Sequence, residues 1–237
     1  MIFEWCTNGL EDLRMAQEMG VRRIELCGAL EVGGLTPTLS VIRRTRAIFN
    51  GSIYMMVRPR PGGFEYDSRE IQLMEADIIT AADNGVDGVV FGCLRDGEYH
   101  MEANGKLLEI ARESGLRCTF HRAVDVAKNP VDIAKSAANQ GFGYLLTSGG
   151  KPIALDGKEN IMRMVEITAG SGMKIIAGSG VYGGNANELL KSGVHGLHMT
   201  SRKQKERPDP FQMGTEYELD EVKLKSMLDA LEIWSSH

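Results

Sequence analysis

Apolar and polar positions alternate in blocks along the whole chain. Seven times, a segment with helical periodicity ends at a glycine, and a short apolar run follows at once. Glycine favours the left-handed backbone that commonly ends a helix, so these glycines indicate joints between helices and strands. The glycines are Gly20, Gly51, Gly85, Gly115, Gly141, Gly172 and Gly193. Together with IFEWC near the start, the runs after them give eight predicted strands.

The segments between these strands have the 3.6-residue period of amphipathic helices. Residues 69–84 place Ile71, Met74 and Ile78 on one face. The last predicted helix covers residues 219–234 and aligns Leu224 with other apolar residues. The chain therefore predicts eight helices in alternation with eight strands.

This alternation predicts a single-domain α/β protein, a (β/α)8 barrel over residues 1–237, since such barrels typically contain about 250 residues. A doubly wound open sheet is the alternative, but it normally has fewer strands, and no GxGxxG follows the first strand. A long polar loop at 201–219 precedes the last helix. A loop of this length is usually either a functional lid or disordered.

Composition limits the classes of function. The net charge of −5 argues against general binding to nucleic acid or to an anionic membrane. We expect no membrane span and no secretion signal, because no apolar stretch is long enough and Met1 leads directly into a strand. The four cysteines lie in apolar runs without a CxxC pair, which is typical of reduced thiols in the cytoplasm.

Barrel active sites lie at the C-terminal ends of the strands, here called the mouth. The predicted ends are Cys6, Cys27, Arg58, Phe91, His121, Thr147, Gly178 and Met199. Glu25 and His121 are candidate catalytic residues, because both side chains can exchange protons. Arginine forks and the N–H groups of glycine-rich turns could bind an anionic substrate. These candidate substrate-binding residues are Arg58, Arg60, Arg122, Ser148, Gly178 and Gly180.

A structural interpretation of the same residues remains open. Glu25 and Arg58 could neutralise each other across neighbouring strands, and His121 could be only a hydrogen-bonded residue at a strand end. A non-catalytic interaction protein is a third class, but the basic RKQKER at 202–207 is its only sequence feature, and a solvated loop explains that segment.

Two Glu-x-Cys units end at Cys6 and Cys27 on the first two strands. Parallel neighbours lie about 4.8 Å apart, and residues two apart share a face, so both thiols are expected at the mouth. Thiolates suit Cu(I), with Met199 as a conceivable thioether ligand. Alternatively, both cysteines are small buried hydrophobes, as expected for the other two cysteines. No motif indicates an organic cofactor.

Five blocks, RIELCGALEVGGLTP, VRPRPGGFEY, TFHRAVD, LLTSGG and IIAGSGV, closely resemble the CutC copper-homeostasis family. The resemblance covers residues 4 to 200. It implies a cytoplasmic TIM-like barrel, commonly a homo-oligomer (dimer or tetramer), with Cu(I) binding at Cys6 and Cys27. One departure is that the family's RPRGGDF reads RPRPGGF here, so the acidic residue before Phe64 is absent. The alternative is a TIM-barrel enzyme or binding protein for a small phosphorylated or carboxylated ligand.

Overall fold

A closed barrel of eight parallel strands forms the centre of the computed structural model, which describes residues 1–8, 12–206 and 215–236. The strands are β1 (Ile2–Thr7), β2 (Arg23–Leu26), β3 (Ser52–Met56), β4 (Gly88–Phe91), β5 (Leu94–Arg95), β6 (Glu98–Tyr99), β7 (Arg117–Phe120), β8 (Tyr144–Thr147), β9 (Lys174–Gly178), β10 (Gly196–Met199), β11 (Arg202–Gln204) and β12 (Tyr217–Leu219). The helices are α1 (Asp12–Glu18), α2 (Leu39–Ile48), α3 (Ser68–Asp83), α4 (Met101–Glu113), α5 (Pro130–Gln140), α6 (Lys158–Ile167), α7 (Gly183–Leu190) and α8 (Glu221–Ser235). Short 3-10 helices cover Leu30–Val32 and Arg122–Val126.

The barrel consists of β1, β2, β3, β4, β7, β8, β9 and β10 in chain order, whereas β5 with β6 and β11 with β12 form two separate two-stranded sheets. β10 pairs with β1 to close the ring. In that pairing Ile2 lies opposite Gly196, and Trp5 lies opposite Met199. Closure confirms the predicted (β/α)8 barrel and excludes the open doubly wound sheet. Four strands end at the predicted residue, and the other four end within two residues of it.

Helix α3 illustrates how local sequence sets an element. The Asp67 side chain accepts hydrogen bonds from the N–H groups of Arg69 and Glu70, and Glu70 accepts from the Asp67 N–H in return, a complete capping box. The helix buries Met74 and Ile78 against the barrel. Each such side chain contributes at most about 1.5–3 kcal/mol through burial.

The glycine joints have two physical causes. Six of the seven predicted joint glycines have a positive φ, as at Gly141 with φ 98°. Gly51 differs from the prediction and has no positive φ. A Cβ there would lie 2.3 Å from the carbonyl oxygen of Arg22, so glycine is required by close backbone approach.

Side chains alternate between two environments along β1 and β2. Trp5 and Ile24 belong to the apolar core beneath the helices. The intervening positions face the barrel interior, where β1 and β2 place several buried polar groups. These residues are Glu4, Cys6, Arg23 and Glu25. The interior is therefore unusually polar for a fold whose centre is normally filled by Val, Ile and Leu.

The predicted 201–219 loop contains regular structure at both ends. β11 and β12 pair antiparallel, with Arg202 opposite Leu219, while residues 207–214 lie outside the described residues. Ser201 accepts a hydrogen bond from Trp5 Nε1 at 3.1 Å, which fixes this ribbon to the barrel. Among the helices that the structure describes, none is both long and apolar enough to cross a membrane.

Candidate functional site

A cavity of about 380 Å³ opens at the mouth of the barrel. Two clusters of side chains line it, and each cluster comes from several strands or the loops after them. The first contains Cys6, Glu25 and His198, and the second contains Arg58, Phe64 and His121. This is the region in which barrel proteins place their active sites.

Cys6 and Cys27 form a close pair, as expected for the ends of neighbouring strands. Their Sγ atoms lie 3.9 Å apart. Both S–H groups donate to Oε2 of Glu25, at 3.2 Å from Cys6 and 3.5 Å from Cys27. The hydrogen bond with Cys27, together with burial, raises the pKa of Cys6 well above its usual value. The hydrogen bond between the two sulfurs lowers the pKa of Cys27, but burial and the charge of Glu25 outweigh it and raise that pKa to about 11. Both thiols are therefore protonated at neutral pH.

Glu4 bonds two cationic side chains in the interior of the barrel, His198 and Arg23. One carboxylate oxygen bonds His198 Nδ1 at 2.9 Å, and the other accepts from Arg23 Nε at 2.6 Å. The Arg23 guanidinium also lies 3.5 Å from the ring centre of Tyr54 and 4.1 Å from that of Tyr144. Burial opposes ionisation of Glu4, but the His198 hydrogen bond and the Arg23 charge hold its pKa below the usual value.

His198 lies between two carboxylates. Its Nδ1 contacts Glu4, and its Nε2 lies 3.9 Å from Glu25 Oε2. Burial opposes a charge on the ring, but the Glu25 charge and the Glu4 hydrogen bond raise the pKa of His198 well above its usual value. Burial also raises the pKa of Glu25. The raised pKa values of His198 and Glu25 favour the protonated form of both groups beside the cavity.

Two overlapping groups of donor atoms could hold a metal ion, each with its atoms within 4.8 Å of one another. Cys6, Glu25 and Cys27 form the first group; Glu4, Glu25 and His198 form the second. The first offers two sulfurs and suits a soft ion such as Cu(I), whereas the second offers only nitrogen and oxygen.

Arg58 lies in the second cluster, against backbone carbonyls. Its Nη1 donates to the carbonyls of Val32 and Gly34, both at 3.0 Å, and its Nη2 donates to that of Gly62 at 2.7 Å. No ion pair joins Arg58 to Glu25 within the described ranges. The mutual neutralisation considered for Glu25 and Arg58 is therefore not what the geometry shows.

Other predicted binding residues divide between the cavity and its surroundings. Arg122 and Gly180 line the cavity, and Arg122 Nε forms an ion pair with Asp125 Oδ2 at 2.8 Å. Arg60 instead pairs with Glu70. Ser148 accepts from Arg122 Nη2 at 3.0 Å without lining the cavity. At Gly178 a Cβ would lie 2.6 Å from the side chain of Leu146, so this glycine permits tight packing.

Sequence reasoning gave His198 no clear role and assigned none to Arg23. A signal for His198 was present in the strand pattern. In a closed barrel the last strand pairs with the first, and this register places His198 opposite Glu4. A comparable signal existed for Arg23, because the register in which Trp5 lies opposite Ile24 places Arg23 beside Glu4.

Comparison with known proteins gives a consistent result. The model of the CutC family matches residues 1–203. A family protein CutC from Aliivibrio fischeri (strain MJ11) is 38% identical over 201 residues, which cover 84% of this chain and 81% of the relative. A family protein CutC from Porphyromonas gingivalis is 38% identical over 204 residues, 85% of this chain and 81% of the relative. A crystal structure from Streptococcus agalactiae, named as that of a putative copper homeostasis protein CutC, is 29% identical with a TM-score of 0.77, covering 84% of this chain and 97% of that one.

Proposed function

The chain belongs to the CutC family, and on that premise we propose that it serves copper homeostasis by binding Cu(I) between Cys6 and Cys27. The observation that carries this proposal is the 3.9 Å separation of the two Sγ atoms next to the cavity. Two sulfurs at this distance can contact one ion, and sulfur is the ligand type that Cu(I) prefers.

The groups around the pair support exchange of protons for copper. Both thiols must deprotonate to become ligands. Glu25 already accepts both S–H bonds, and His198 Nε2 lies 3.9 Å from the same carboxylate oxygen. One Cu(I) between two thiolates carries a net negative charge, which a protonated His198 partly offsets.

An anaerobic titration of Cu(I) against a strong competing chelator tests this function. The Cys6→Ala, Cys27→Ala double variant should lose high-affinity binding. The Cys93→Ala, Cys118→Ala double variant is a matched control, because it also removes two buried free thiols. Undiminished binding by the first variant, or equal losses in both, contradicts the proposal.

We further propose a cytoplasmic location and a homo-oligomeric state, either dimer or tetramer. Four free cysteines support the location, since reduced thiols persist in the cytoplasm. The family relationship supports the assembly. Cell fractionation and sedimentation velocity test these two proposals separately, and a monomer in sedimentation contradicts the second.

A second candidate function is that of an enzyme or binding protein for a small anionic ligand. The observation that favours it is the buried guanidinium of Arg58, which lines the cavity and has no carboxylate partner among the described residues. Glu25 would serve as a base in an enzyme of this kind. Thermal unfolding in a panel of phosphate esters and carboxylates tests the function, since ligands that bind the native state raise the melting temperature.

A further inference from the structure

His121 presents an unused hydrogen-bond donor beside the cavity. Its Nδ1 accepts from the backbone N–H of Ala123 at 3.3 Å, so the proton of the neutral ring lies on Nε2. Nε2 is buried and lacks a hydrogen-bond partner in the part of the chain that the structure describes. A buried donor without an acceptor is costly, which indicates that a ligand atom completes it.

The neutral state of His121 follows from its surroundings. Burial, together with the nearby charge of Arg58, lowers the pKa of His121 to about 3. The ring of Phe64 packs edge-on to the imidazole, with 4.7 Å between the ring centres, and lies 5.0 Å from the Arg58 guanidinium carbon. The imidazole is therefore neutral near pH 7 and offers its Nε2–H as a hydrogen-bond donor.

Arg58 supplies the charge next to this donor. The residue is 5% exposed, and its Nη1 and Nη2 make three hydrogen bonds to carbonyls, while Nε has no partner among the described residues. Carbonyl groups solvate a cation but do not neutralise it. A buried cation with no carboxylate partner indicates that a mobile anion provides the missing charge.

We propose that His121 and Arg58 form the binding wall for one compact anion, a phosphate monoester or a small carboxylate, in the cavity at the barrel mouth. This inference rests on the second candidate function and is independent of copper. Arg122, Arg202 and Lys223 also line the cavity and add positive charge. The volume of about 380 Å³ lies near the lower limit for small-molecule sites and excludes large ligands.

The backbone opposite this wall is also held in an unusual state. Ser179 lines the cavity with φ 82°, and its Oγ donates to the carbonyl of Pro152 at 2.7 Å. A left-handed conformation at a residue other than glycine is strained and is common at ligand-binding sites. It supports a ligand site here without defining the ligand.

Calorimetry with two probes, inorganic phosphate and succinate, tests the proposal at constant ionic strength set with chloride. At least one probe should bind the wild-type protein saturably and shift the NMR signal of His121 Nε2. His121→Asn places an acceptor oxygen near the position of Nδ1 but removes the Nε2 donor, and should weaken binding at least about tenfold, or about 1.4 kcal/mol. His121→Gln can restore a donor near Nε2 and should bind more tightly than His121→Asn.

Arg58→Gln should also weaken binding at least about tenfold. Arg163→Gln, an equal change of charge on the exposed face of α6, is the control and should leave the affinity unchanged. If Arg58→Gln does not fold, His121→Asn decides alone. Saturable binding that persists in His121→Asn overturns this inference and leaves the anionic-ligand function standing. If neither probe binds the wild-type protein, this inference and the anionic-ligand function are both overturned.

Discussion

Glu4→Gln tests whether the charged interior of the barrel depends on one buried carboxylate. Glu4 is fully buried and bonds both Arg23 and His198. Glutamine keeps the shape of the side chain but removes its negative charge. The Arg23 guanidinium then remains in the interior without a carboxylate, because its other close contacts are the rings of Tyr54 and Tyr144.

The expected loss of stability follows from two opposing contributions. Removing one partner of a buried ion pair costs about 3–5 kcal/mol. Cation–π contacts are worth about 0.5–2 kcal/mol and persist in the variant, so they keep the loss towards the lower end of that range. We therefore expect Glu4→Gln to lower the free energy of unfolding by about 3 kcal/mol, a large share of the 5–15 kcal/mol typical of a native protein.

Equilibrium unfolding in urea at pH 7 measures this loss as a lower midpoint with an unchanged denaturant slope. Glu188→Gln is the matched control, because Glu188 makes an exposed ion pair with Lys158 at 3.1 Å. Its loss should stay below about 1 kcal/mol. Equal losses in the two variants would refute the reasoning, since they would mean that Arg23 needs no buried counter-charge.

A second substitution separates charge from packing. Arg23→Met in the Glu4→Gln background removes the unpaired cation, so the double variant should be more stable than Glu4→Gln alone. Acid titration is an independent test of the stability that ionised Glu4 contributes. The folded pKa of Glu4 is below its usual 4.5, so its contribution is present above pH 4.5 and is lost as the pH falls through the folded pKa.

Three further predictions concern protonation and packing. Cu(I) affinity should rise with pH, by up to about 100-fold per unit, because Cys6 and Cys27 both lose a proton; a pH-independent affinity in competition titrations contradicts the thiol site. His121 should contribute a loss of about 2 kcal/mol between pH 6.5 and 4.5, since only the unfolded state protonates it there, and urea unfolding should show a correspondingly smaller loss in His121→Asn. Gly157→Ala should lower the free energy of unfolding by about 1–3 kcal/mol, because the new Cβ would lie 1.9 Å from the backbone oxygen of Ser148. Gly63→Ala is the control, since a Cβ there would meet open space, and equal melting temperatures of the two variants would contradict the prediction.

Local sequence patterns were sufficient to predict the fold. Helix α3 was expected at residues 69–84 and is found at Ser68–Asp83. Its apolar spacing and its cap involve residues at most a few turns apart, so the sequence displays them directly. The proximity of Cys6 and Cys27 was also predictable, because strands adjacent in the chain are neighbours in a barrel.

The partners of the charged residues could not be predicted in the same way. Arg58 and Arg60 are two residues apart, yet Arg58 lies on the cavity and Arg60 pairs with Glu70 outside it. Both arginines follow the end of β3, where strand alternation no longer fixes the direction of a side chain. Only the path of the loop decides which arginine faces the cavity.

The sequence by itself determined the (β/α)8 barrel, the approximate end of each strand and the place of the two thiols. The tertiary structure decided which of these neighbouring groups bond: Glu25 accepts from both thiols, and Glu4 bonds both Arg23 and His198. The physical reason is the range of each interaction. Hydrophobic periodicity is written into consecutive residues, whereas a buried charge takes the partner that closure brings within reach, here one that is 194 positions away in the chain.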